Sequence, residues 1–267
     1  MDELILTRYL YPEVDVKQSL LLALLDHNSK EALFWGYELY YTGYGDVYEY
    51  ILNIYDNFYK SENPELEAKL FSKGIENECW IGTVILTLSS RNYQICDFLR
   101  EYKGESCERR SYPPTKFRFI IAFKPSDLVN YKMELPIGKK HGRFYLPIVC
   151  KFPIRRECNT LFESTCNDFR KEFEHHWLYF AAKSPVWLYR IRDFGGSINE
   201  DTKEVDFPND DFHDEFYDRW GIEPDEQPLD LKDKCIGNCQ VHQLSMKEFC
   251  DKYGGIQKKL ENTIILS

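Results

Sequence analysis

Cys235, Cys239, His242 and Cys250 are the only cluster in this 267-residue chain with a metal-like ligand set. Their separations of three, two and seven residues fall outside the paired-cysteine spacings of zinc knuckles. Unligated thiols packing near a turn at Gly237 are therefore the expected state, and a structural zinc, the one cofactor the chain offers, is the alternative. The adjacent pair His175-His176 also invites a metal or catalytic reading. Neighbours on a helix point about 100° apart, however, so if both are helical they cannot serve one metal. The metalloprotease arrangement of two histidines four apart around a glutamate is missing. Asp210-Asp211 and Asp214-Glu215 could hold Mg²⁺ or Ca²⁺, but the calcium-loop order with its central glycine is absent. A metal-dependent hydrolase assembled from these acids and His175, His176 or His213 lacks a nucleophile or base assigned by any local motif.

A second kind of chemistry is anion binding. From Arg109 to Arg156 twelve Lys and Arg residues face only Asp127 and Glu134, in a chain of net charge -10. Gly138 and Gly142 flank Lys139, Lys140 and His141, with Arg143 following, and glycines let a backbone approach phosphates closely. Arg109, Arg110, Lys116, Arg118, Arg155 and Arg156 could extend the patch, with Tyr112, Phe117 and Tyr145 as stacking surfaces for unpaired bases. The loop is not a nucleotide-binding P-loop, because no Gly-rich run precedes Lys-Ser or Lys-Thr at the required spacing. The competing reading is that these charges sit on solvated strand edges, where lysine discourages aggregation, and offset acidic flanks.

The elements that must position these groups fall into three charge blocks: residues 1–103 carry a net of -8, residues 104–196 of +7, and residues 197–267 of -9. The first block reads as helical. Asp15 is placed to cap a helix carrying Val16, Leu20, Leu21, Leu24 and Leu25 and ending near His27-Asn28. Ser29 caps a second, with Ala32, Leu33, Gly36 and Leu39 on one face, broken by Gly43 and Gly45. Asp46 restarts the chain through Val47, Ile51, Ile54 and Phe58, and Asn63-Pro64 opens a fourth helix. Two more are expected over residues 79–89 and 91–103. No residue signature repeats at fixed period, so this is an antiparallel helical array and not a solenoid. Its aromatic residues, among them Trp35, Tyr37, Tyr41 and Tyr44, either fill the core or form a docking face for a protein partner.

After Tyr112-Pro113-Pro114 the period changes. Phe117, Phe119, Ile121 and Phe123 alternate as in a strand, and apolar runs over 133–137 and 144–152 flank the Gly138–Arg143 reversal. Residues 109–156 thus predict a hairpin with a basic tip, its strands interrupted by Pro136, Pro147 and Pro153. Helix returns over 167–196 as a hairpin of two, the first capped by Asn167 or Asp168, the second opened by Ser184-Pro185 and stopped at Gly195-Gly196. Residues 199–230 read as an acidic loop, net -11 over 200–230, able to fold back on the basic hairpin. Residues 231–267 form a closing segment. The expected class is α+β, mainly α, with an N-terminal helical array over 1–103 and an α+β region over 104–267.

With 43% apolar and 16% aromatic residues the chain can bury a sizeable core. Nine unevenly spaced cysteines do not resemble a secreted disulfide framework, so reduced thiols in a cytoplasmic or nuclear setting are expected. The start Met1-Asp2-Glu3 lacks the basic region of a signal peptide, and the aliphatic run Leu20 to Leu25 is far short of a membrane span, so neither secretion nor a membrane partner is expected.

Arg8-Tyr9-Leu10-Tyr11 through Ala32-Leu33-Phe34-Trp35-Gly36-Tyr37-Glu38-Leu39-Tyr40-Tyr41 resembles the N-terminal part of poorly characterised proteins of giant nucleocytoplasmic large DNA viruses. His176-Trp177-Leu178-Tyr179-Phe180, Ser184-Pro185-Val186-Trp187 and Gly221-Ile222-Glu223-Pro224-Asp225-Glu226-Gln227 are similar to later segments of the same proteins. That resemblance implies a viral source, with an infected cell or virion as the location, and carries over no catalytic residue. Three functions compete: a non-enzymatic interaction protein, a nucleic-acid-binding protein working through 109–156, and the metal-dependent hydrolase. The first is preferred, because every candidate catalytic set fails on spacing.

Overall fold

The computed structural model describes residues 4–71, 77–104, 107–111, 119–132, 144–164, 167–237 and 240–257. Its first helix, α1 (Glu13–Leu25), is buried on almost every side, which is why its apolar residues form no single stripe. Pro12 precedes it and no side chain caps it. Asp15 therefore does not cap: the helix starts two residues earlier, and Asp15 lies inside it and is buried. α2 (Ser29–Thr42) packs against α1, but its cap is Asn28, whose side chain accepts from the Glu31 N–H, and not Ser29. α2 ends at Gly43 with φ 91°, a left-handed conformation that favours glycine.

α3 (Val47–Ile54) continues into a π-helical turn, Tyr55–Tyr59, and Asp46 makes no capping bond. The helix expected to open at Asn63-Pro64 forms over residues 65–71, its part Glu67–Phe71 being a second π-helical turn. Asn63 is buried and donates to the Tyr59 and Asn92 carbonyls instead of capping. α4 (Glu78–Ser89) and α5 (Cys96–Lys103) complete the array, the latter shorter than the 91–103 pattern implied. Gly104, at φ 65°, reverses the chain into β1 (Cys107–Arg109). That reversal brings Cys107 to the start of α5, and a disulfide joins it to Cys96, Cα atoms 5.4 Å apart. The expectation of reduced thiols is corrected for this pair; Cys79, Cys150, Cys158, Cys235 and Cys250 form no disulfide among the described residues.

The strand expected over 117–123 does not form in its described part, residues 119–123. The chain there is extended, yet its alternate N–H groups pair with a helix: Ile121 donates to Thr87 Oγ1 at 3.1 Å and Phe123 to Thr83 Oγ1 at 3.0 Å, both on α4. Gly82 allows the approach, since a Cβ there would lie 2.3 Å from the Phe123 ring. A 3-10 helix follows at Pro125–Asn130. The expected strand over 144–152 is also corrected: Pro147 sits in the first turn of a short helix, α6 (Leu146–Val149). The run over 133–137 and the loop from Gly138 to Arg143 lie outside the described residues, so the basic hairpin tip does too.

The helical hairpin over 167–196 appears as three pieces, α7 (Arg170–His175), α8 (Trp177–Ala181) and α9 (Pro185–Asp193), with His176 non-helical at the break. Ser184-Pro185 opens α9 as expected. A hairpin of β2 (Ser197–Asn199) and β3 (Glu204–Asp206) turns through Lys203 at φ 57°. The acidic loop is then corrected to an ordered helix, α10 (Asp210–Trp220), capped by Asn209 and followed by a 3-10 turn at Pro224–Glu226. α11 (Leu229–Ile236) and α12 (Met246–Tyr253) close the fold, the second opened by a Ser245–Glu248 capping box. β4 (Gly255–Gln257) pairs antiparallel with β1, Glu108 opposite Ile256.

The protein is α+β and mainly α. One buried apolar cluster runs from Leu4 to Tyr253 and draws on both expected regions. Polar contacts cross between them as well: Trp187 Nε1 donates to the Thr7 carbonyl at 3.1 Å.

Candidate functional site

The basic segment contributes seven described cations, and four pair with carboxylates of the same chain, Arg155 and Arg156 in the interior and Arg109 and Lys132 on the surface. Arg156, 2% exposed, donates through Nη2 and Nε to Asp15 Oδ2 at 2.7 and 3.0 Å. Arg155 reaches Asp26 at 2.7 Å and Glu157 at 2.6 Å. Arg109 pairs with Asp97 and Lys132 with Glu78, at 3.0 and 3.1 Å. Arg110, Lys124 and Lys151 are exposed. The acids that take these cations come mainly from the first block and not from residues 199–230, so a fold-back of the acidic segment is not what neutralises them. Arg155 and Arg156 are corrected from anion-binding to structural residues. The reason is local to α1: Asp15, Gln18 and Ser19 are its buried polar positions, and residues 155–159 supply their partners. Burial pushes the Asp15 carboxyl up, while Arg156 and Asn159 pull it back. Lys116, Arg118, Lys139, Lys140, His141 and Arg143 lie outside the described residues.

The docking-face expectation is corrected for Trp35 and Tyr37. Trp35 and Tyr37 are fully buried, Trp35 edge-on to Tyr11 at 5.0 Å and Tyr37 stacked on Tyr131 at 4.7 Å, so neither can face a partner. Tyr41 and Tyr44 are half-buried against the core. At the cysteine cluster, Cys235 is buried with its Sγ 3.4 Å from Cys150, and burial raises its pKa. His242 is exposed and 3.1 Å from Glu248, Cys250 is buried, and Cys239 lies outside the described residues.

Three histidines do converge. The break between α7 and α8 removes the helical constraint assumed for His175 and His176, and both line a cleft of about 250 Å³ with His213, Lys203 and Glu204. His176 Nδ1–H donates to the Lys203 carbonyl at 3.1 Å, so in the neutral ring Nε2 carries the lone pair. Among the described residues no three His, Cys, Asp or Glu side chains are grouped to hold a metal ion, and no serine, threonine or cysteine lines this cleft. Sequence spacing gives no hint of the cleft, because its walls come from α8, the β2–β3 turn and α10.

α10 has one buried face and one exposed acidic face. Phe216 and Trp220, four apart, are buried, and Phe216 meets Phe194 and Phe207 at 5.7 and 4.9 Å. The Arg190 guanidinium lies between Trp187 and Trp220, 4.5 and 4.2 Å from their rings, and ties α9 to α10. With that face fixed inward, the 100° step per residue turns Asp211, Asp214, Glu215 and Asp218 outward. All four are exposed; Asp214 accepts from the neighbouring His213, and Asp211, Glu215 and Asp218 form no ion pair among the described residues. Phe212, 42% exposed, adds an apolar contact beside them. No helix among the described residues is long and apolar enough to cross a membrane. No protein-family model matches the chain, and comparison with curated proteins and with solved structures finds no match.

Proposed function

We propose that the chain is a non-enzymatic interaction protein that docks a basic surface of a partner protein on the outer face of α10. One observation carries this reading: four of the seven described cations of the basic segment pair with carboxylates of the same chain, while Asp211, Glu215 and Asp218 on α10 form no ion pair among the described residues. Unpaired acids beside an exposed aromatic ring give charge complementarity, which steers encounter, together with an apolar contact that adds affinity. On this reading, and with the viral resemblance of the N-terminal segment, the partner is sought in an infected cell or virion.

The test is fluorescence anisotropy with a labelled Lys- and Arg-rich helical peptide at physiological salt. Changing Asp211, Glu215 and Asp218 to their amides is expected to weaken binding at least about tenfold. Neutralising the same number of acids elsewhere, at Glu49, Asp127 and Glu172, is expected to leave it nearly unchanged. Equal losses in the two triple variants would reduce the interaction to bulk charge and sink the proposal. A single-stranded thymidine oligonucleotide serves as the second probe. Steeply salt-dependent binding that disappears in Lys139→Ala, Lys140→Ala and Arg143→Ala would favour the nucleic-acid reading instead.

A further inference from the structure

We infer that a cavity between α1, α3 and α5 is a binding site for a small aromatic amine. The cavity measures about 410 Å³, within the range of ligand pockets, and is walled by Leu21, Tyr50, Phe58, Tyr102 and Phe162. The π-helical turn at Tyr55–Tyr59 forms part of its rim, and such turns recur at functional sites because they re-aim side chains out of helical register.

The polar groups decide the ligand's chemistry. Gln18, only 7% exposed, spends both amide hydrogens on the Arg155 carbonyl at 2.6 Å and Asn159 Oδ1 at 2.8 Å. That fixes its orientation and leaves Oε1, closed off from bulk water, with no partner among the described residues. Asn57 donates its amide to Asn53, so its own oxygen is an acceptor, and Glu101 at the rim has no ion pair among the described residues. The cation on the walls, Lys17, is held by Glu13 and by Asp46. The unengaged Gln, Asn and Glu groups are thus acceptors, and the surrounding chain is acidic. An apolar ring system with a cationic donor end matches this surface: the rings fill the aromatic floor, and the ammonium faces Glu101 and Asn57. An anion would meet carboxylate and amide oxygens, with no free cation among the described wall residues to receive it.

Three indoles of similar shape test the inference on the full chain by titration calorimetry: tryptamine, indole and indole-3-acetate. Tryptamine is expected to bind saturably and at least about tenfold more tightly than the acetate, with neutral indole between them. Glu101→Gln should narrow the gap between amine and acid. Val14→Trp, at a position 39% exposed on the cavity wall, should block all three probes with an unchanged melting temperature. Absence of saturable binding, equal affinity for amine and acid, or binding indifferent to Val14→Trp would each overturn the assignment.

Discussion

Arg156→Met separates the two roles open to the basic segment. In the structure its guanidinium sits on Asp15 at 2.7 Å, the two side chains 2% and 7% exposed, and also reaches the Asn167 carbonyl at 3.3 Å. Removing one partner of a buried pair strands the other charge and costs about 3–5 kcal/mol. A chain of this size loses roughly 2–4 °C of melting temperature per kcal/mol, so the expected drop is about 6–20 °C, read by circular dichroism at pH 8. The sign of the pH dependence follows from Asp15. Its carboxyl is already raised by burial against the pull of Arg156, and without the guanidinium it rises further above the unfolded value of about 3.9. A group raised on folding contributes stability below its unfolded pKa and loses it as pH climbs through the folded one. The deficit of the variant relative to wild type is therefore largest at pH 8 and shrinks toward pH 4. Asp15→Leu combined with Arg156→Met should recover much of the loss, because no charge is left buried. A single-variant cost below about 1 kcal/mol, independent of pH, is what a solvated surface pair gives and would refute the burial argument.

Two further outcomes follow from close packing and burial. Gly82→Ala should destabilise by about 1–3 kcal/mol, because its Cβ would meet the Phe123 ring at 2.3 Å and the Tyr37 hydroxyl at 2.6 Å. Gly36→Ala should cost less, since its clash at 2.2 Å is with the movable Cδ1 end of Ile85; equal melting temperatures for the two variants would contradict this. Among the described free cysteines, iodoacetamide at pH 8 should modify the half-buried Cys79 first. Burial pushes the Cys158 thiol up to about 12, so its early labelling in peptide mapping would count against the packing.

Element positions were largely legible in the sequence where periodicity and local chemistry agree. α2, α4 and α9 stand close to where apolar spacing and the Ser184-Pro185 start put them. α10 was missed because thirteen acids over 200–230 read as a solvated loop, although Phe216 and Trp220 at helical spacing mark its inner face. The cavity and the histidine cleft were not legible at all, since each draws its walls from segments far apart in the chain.

The sequence by itself determined the three charge blocks, the mainly helical class and the alternation through Phe123. Tertiary structure alone decided what each pattern meets. Alternation at 119–123 requires an extended chain but does not name its partner, which is a row of threonine hydroxyls on α4 and not a strand. Twelve basic residues set the charge of 109–156 but not its exposure. Asp15 and Arg156 lie 141 positions apart, and only packing brings a polar face of an otherwise apolar helix against them. Asp15, Gln18 and Ser19, spaced three and four apart within that helix, were the local signal that a partner had to exist; which residues would supply it depends on the path of the whole chain.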